Sequence, residues 1–151
     1  MIGQNAAKWG YVLSPAVIAD NTSPTTTVID TLGFDRLEVI LILGAMDIAM
    51  TAFKLQESDV AASATALTGG ADVTGFVGGT DFTLPIATDD GGIGVLDVNL
   101  VNQVRKRYQD VLATVGDGAA GTYLTIVYRL SKGHVDPISA AAAGLLFKVV
   151  G

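Results

Sequence analysis

The stretch DRLEVILIL, residues 35–43, decides the fold class. Successive side chains of an extended chain point to opposite faces, so Leu37, Val39, Leu41 and Leu43 share one side and Glu38, Ile40 and Ile42 the other. Both faces are mostly apolar, which predicts a central strand. The segment 44–47, opening on Gly44, supplies a turn, and IAMTAFKLQE, residues 48–57, reads as a second strand. In it Ala49, Thr51, Phe53 and Leu55 oppose Met50, Lys54 and Gln56. The two are expected to form a hairpin.

The same reading extends along the chain. Residues 108–115 and 122–130 flank GDGAAG, residues 116–121, whose glycines accept the positive φ of a hairpin turn. Leu124, Ile126, Tyr128 and Leu130 alternate with Tyr123, Thr125, Val127 and Arg129, a second strong strand pattern. Weaker strand candidates are residues 11–19, 25–30, 72–76 and 94–101. Thirteen of the fifteen acids are Asp, leaving only Glu38 and Glu57; Asp favours turns and Glu helical surfaces, so helix should be scarce. About eight short strands with little helix predict an all-β fold, an antiparallel β-sandwich or jelly roll.

Residues 61–92, rich in Ala, Thr, Gly and Asp, read as extended loops with one or two short edge strands. A loop this long in a compact domain is functional or is ordered by contact with something else. The chain of 151 residues has no fixed-period repeat, Pro-rich linker or charge block, and so reads as one sandwich domain with apolar arms at about residues 1–20 and 138–151. The last arm carries Leu145, Leu146, Phe147, Val149 and Val150. It either closes the sandwich as a last strand or reaches onto a neighbouring subunit.

Composition excludes several classes of function. Half of the residues are hydrophobic and only 16% are charged, against roughly 25% in ordinary soluble domains. Disorder is therefore excluded, and part of the surface is expected to be covered by a partner. Nine Lys and Arg against fifteen Asp and Glu give a net charge of −6, which opposes docking on nucleic acid or an anionic membrane. The run Arg105, Lys106, Arg107 is the exception, a local basic patch or a source of intersubunit ion pairs. With no cysteine there is no disulfide framework or thiolate metal site. The longest nearly apolar run, residues 138–147, is half the ~20 residues of a membrane span. No signal-type start is read either, because Pro15 and Asp20 interrupt the apolar stretch after Trp9.

Little chemistry stands out. His134, the single histidine, sits in the loop-like SKGHVDP, and no G-x-S-x-G elbow accompanies it. Glu57 and Asp59, two apart on a strand, could share a pocket as paired carboxylates. Asp81, Asp89 and Asp90 could collect Ca²⁺ in a Gly-rich loop, although turn chemistry accounts for them as well. No phosphate cradle is present.

FKLQESD (residues 53–59), DVTGF (residues 72–76) and KRYQDVLATVGDGAAGTYLTIVYRL (residues 106–130), in this order and spacing, resemble small structural proteins encoded among the head genes of tailed bacteriophages. That family is one of capsid decoration, or cement, proteins built on a β-sandwich, and the resemblance covers about two-thirds of the chain. It implies a virion protein on the outer face of an icosahedral shell, often a trimer at threefold or quasi-threefold positions, that braces adjacent capsomers. Its partners would be the major capsid protein and copies of itself. No catalytic residue, metal or cofactor comes with that role. Both termini depart from the family's pattern.

The residues offered for such contacts are Trp9, Tyr11, Val12, Leu13, Val17 and Ile18 in the first arm, Arg105, Lys106 and Arg107 in the basic run, and Leu145, Leu146, Phe147 and Val149 in the last arm. Contact through the arms should be mainly hydrophobic; alternatively, both ends complete the core. Competing functions are another virion component of the tail or head-tail junction, a carbohydrate-binding or adhesive sandwich with its site in the long loop, and an enzyme resting on Glu57 and Asp59.

Overall fold

Eleven strands form among the residues that the computed structural model describes, which are 7–15, 18–20, 23–101, 103–116, 119 and 121–132. They are β1 (Lys8–Leu13), β2 (Ile18–Ala19), β3 (Ile29–Asp30), β4 (Arg36–Leu43), β5 (Ala52–Ser58), β6 (Ala61–Ser63), β7 (Ala66–Leu67), β8 (Ala71–Val77), β9 (Ile93–Asn99), β10 (Tyr108–Thr114) and β11 (Thr122–Ser131). No helix occurs among the described residues. The predicted alternation is realised: in β4 and β11 every second side chain is buried, and the remainder face outward.

The first sheet runs β1-β11-β4-β9, with β2 pairing the start of β11 on the edge that β1 occupies further along. The second runs β3-β10-β5-β8, and β6 and β7 pair with each other. Every strand pair is antiparallel. With the short β2, β6 and β7 set aside, eight strands remain. The first pairs with the last, the second with the seventh, the third with the sixth and the fourth with the fifth. All four pairings bracket the small β6–β7 hairpin, so the chain is one long antiparallel ribbon rolled into two sheets, the pattern of a jelly roll. The all-β sandwich expectation holds, and β4 is central in its sheet as expected.

Neither predicted hairpin forms. β4 pairs with β11 and β9 while β5 pairs with β10 and β8, so residues 44–51 cross from one sheet to the other. β10 and β11 are likewise in opposite sheets. Sheets pack about 10 Å apart, a gap that connections of this length span. Alternation marks a strand and its buried face but carries no information on its partner. Residues 48–51 stay outside the strand predicted there, and in residues 25–30 only Ile29 and Asp30 pair.

The core lies between the sheets. Leu37, Val39 and Leu41 of β4, Val98 of β9 and Ile126 and Leu130 of β11 meet Ile29, Phe53, Leu55, Val73 and Val111 of the opposite sheet. Val12 and Leu13, expected as contact residues of the first arm, belong to this core and are 1% and 3% exposed. Strict alternation would bury only one of two consecutive residues, but the register of β1 against β11 shifts between Tyr11 and Leu13, and both side chains are buried there while Tyr11 stays exposed.

Candidate interaction surface

The register of the first sheet aligns outward side chains from four sequence-distant strands. Tyr11 of β1 lies beside Val127 of β11, Val127 beside Ile40 of β4, and Ile40 beside Val95 of β9. The result is an unbroken apolar row across the full width of the sheet. Thr125, Ile42 and Ile93 form the next row. Tyr11 is 59% exposed, Val95 55% and Ile93 69%, and Tyr123 and Ile42 are exposed as well. An antiparallel sheet with one solvated face normally shows polar side chains there, so a contiguous apolar patch on it marks an interaction surface.

An ordered row of charges borders this patch. Trp9, Arg129, Glu38 and Asp97 lie side by side across the same four strands. Arg129 Nη1 donates to Glu38 Oε2 at 2.6 Å, and its guanidinium lies 5.7 Å from the centre of the Trp9 ring. Arg36 grips Asp97 with two hydrogen bonds, Nε to Oδ1 at 2.7 Å and Nη2 to Oδ2 at 2.5 Å, and stands 3.6 Å from Glu38. These bonds hold the Asp97 carboxyl below the usual carboxylate range and raise Arg36. The charges are thus neutralised within the sheet, and the apolar rows beside them set the character of the face.

The basic run is not a patch. Arg107 is bound by Asp30 through Nε at 2.8 Å and Nη2 at 2.7 Å. Arg105 is largely buried, 4.0 Å from Glu57 and 5.9 Å from the centre of the Phe76 ring. Glu57 Oε2 also accepts from the Lys106 backbone N–H at 3.2 Å and from Gln109 Nε2 at 3.1 Å. Two of the three cations are therefore consumed by intramolecular pairs. Asp59, the acid considered alongside Glu57, lies exposed beyond the end of β5.

The loop acids act on the backbone. Asp81 Oδ2 accepts from the N–H groups of Gly75 and Val77 at 2.9 Å each, Asp89 from Ile86 at 2.8 Å and Asp90 from Met46 at 2.7 Å. Among the described residues no group of three His, Cys, Asp or Glu could hold a metal ion.

Of the predicted contact residues, the structure brings Tyr11 and Trp9 onto the outward face, and the Ile18 backbone pairs with Tyr123 at its edge. Val17, Leu145, Leu146, Phe147, Val149 and His134 lie outside the described residues. Sequence reasoning missed Ile40, Ile42, Ile93, Val95 and Val127 as surface residues. For Ile40 and Ile42 the signal is the second apolar face of residues 35–43, which fits a strand buried on both sides equally well.

No protein-family model matches the chain, and no curated protein matches its sequence. Among solved structures it is similar to the coat protein of Tobacco streak virus, with a TM-score of 0.31 and 14% identity over 86% of this chain and 89% of that one.

Proposed function

We propose that the protein is a structural component of a virion, a decoration or cement protein that binds the outer surface of a phage capsid and braces neighbouring capsomers as a trimer. The observation that carries this reading is the apolar row Tyr11, Val127, Ile40 and Val95 on a sheet face left uncovered by the described chain. The low charge density and the sequence resemblance to phage decoration proteins support it. Strands about 4.8 Å apart and rows about 7 Å apart give the patch an area on the order of 300 Å². That falls below the roughly 800 Å² per partner of a stable binary interface, so one patch holds a copy weakly and several copies joined together hold well. A trimer on a repeating shell meets that requirement.

The experiment mixes purified protein with capsid shells lacking it and follows co-sedimentation, with light scattering for the oligomer. Trimers that sediment with shells are expected, and Tyr11→Asp with Val95→Asp should abolish sedimentation while the variant remains folded. A monomer that ignores shells overturns the proposal.

A further inference from the structure

Among the described residues β1 and β9 end the first sheet, and β3 and β8 end the second. Sandwiches usually blunt such edges with a bulge, a charge, a proline or a very short strand. β1 carries a register shift and gives its Val12 carbonyl to the Thr27 N–H, β8 carries another shift, and β3 pairs over two residues. β9 has none of these devices. It pairs with β4 over seven consecutive positions without a shift, it holds no proline or lysine, and its one charge, Asp97, is bound to Arg36 at 2.5 Å. A groove of about 360 Å³ lined by Phe53, Phe76, Phe82 and Pro85 opens beside it.

The phase of the ladder decides which backbone groups this edge presents. Leu43 N–H donates to Gly92 O at 2.9 Å just before β9, and Leu100 N–H donates to Asp35 O at 3.0 Å just after it. Both contacts continue the β4–β9 register, so Gly94, Leu96 and Val98 are the residues hydrogen-bonded to β4. The N–H and C=O groups of Ile93, Val95 and Asp97 therefore point away from β4, and no backbone group among the described residues bonds to them.

We infer that this edge is the seat of a second copy of the chain, whose own β9 pairs with it antiparallel about a two-fold axis through Val95. Val95 then lies opposite Val95 and Ile93 opposite Asp97, all of them hydrogen-bonded through the groups that point away from β4. A two-fold axis normal to the sheet keeps inward and outward faces on their own sides, so β9 is complementary to itself. Charge selects the register. Centring on Asp97 sets two carboxylates directly opposite each other, and centring on Leu96 leaves them two residues apart. About Val95 they stand four residues apart, roughly 13 Å along the strand. On the inward side Gly94 faces Leu96 of the second copy, and the nearest atom to a Cβ placed at Gly94 is 3.7 Å away on Leu41. On the outward side the row Tyr11, Val127, Ile40 and Val95 runs across the axis into its own image and doubles the apolar face.

The contact closes at two copies and is separate from the threefold contact proposed above. It rests on the strand edge, not on the capsid reading, and its test needs no shell. One strand edge offers less than the roughly 800 Å² per partner of a stable interface, so pairing rises with concentration.

Hydrogen exchange on the full-length protein at two concentrations about a hundredfold apart tests it. The amides of Ile93, Val95 and Asp97 should exchange at least tenfold more slowly at the higher concentration, with those of β11 unchanged. Val95→Pro removes an outward donor without touching the β4 ladder and should erase that dependence in a folded protein. Rates independent of concentration, fast or slow, overturn the inference, because a cover supplied by the same chain does not respond to concentration. A cysteine variant gives a second reading, because the native chain has no cysteine. Oxidised Val95→Cys should form a disulfide-linked dimer, since directly opposed residues lie about 5.5 Å apart, whereas Ile42→Cys, one strand away on the same face, should not. Equal yields from the two, or no dimer, overturn it as well.

Discussion

Arg107 and Asp30 form a forked ion pair that ties β10 to β3, 2.8 Å at Nε and 2.7 Å at Nη2. The guanidinium holds the Asp30 carboxyl below the usual carboxylate range and outweighs the opposing effect of partial burial. A lowered carboxylate adds stability that is present above its unfolded pKa and lost as pH falls through the folded value. Asp30→Asn should therefore cost about 0.2 to 1 kcal/mol at pH 7, as expected for an exposed pair. The gap between variant and native protein should close in urea titrations below about pH 4.

Asp110 behaves in the opposite sense. Burial pushes its carboxyl up, although Thr26 Oγ1 at 2.7 Å and the Val111 N–H at 2.8 Å both donate to it. A raised carboxyl favours the fold below its unfolded pKa and loses that contribution as pH rises through the folded value. Asp110→Asn keeps an acceptor without the charge. It should raise the melting temperature at pH 7 by about 1 to 3 °C, and the gain should vanish near pH 3.

Gly78 sits against the backbone of β5. Its N–H donates to Phe53 O at 2.9 Å, and a Cβ there would meet that same oxygen at 2.7 Å and collide with the Leu84 side chain. The oxygen belongs to a paired strand and cannot move aside. Gly78→Ala should destabilise the protein by about 1 to 3 kcal/mol, read as a lower urea midpoint with an unchanged slope.

The outward apolar row contributes to assembly and little to folding. Val95→Asp is expected to shift stability by no more than about 0.5 kcal/mol, the range of surface substitutions, while weakening shell binding at least tenfold. By contrast Ile126→Ala, on the inward face of β11 and fully buried, should cost about 2 to 5 kcal/mol. Thermal melts and shell sedimentation on the two variants separate the roles of the two faces.

Local pattern determined much of this protein. The alternation in residues 35–43 and 122–130 fixed which side chains of β4 and β11 are buried, and the abundance of Asp and Gly over Glu announced an all-β chain. These properties are legible because a period of two and turn chemistry act within a few residues. Pairing was decided only by the tertiary structure. The strands on either side of residues 44–51 look like a hairpin in sequence, yet each pairs with strands distant in the chain and the two join opposite sheets. The candidate face belongs to the same level: Tyr11, Val127, Ile40 and Val95 become neighbours only once the ribbon has rolled. The capture of Arg105 by Glu57 and of Arg107 by Asp30 likewise depends on strands far apart in the chain. Inside and outside are written in the sequence of each strand, whereas adjacency between strands is set by the collective burial of the whole chain.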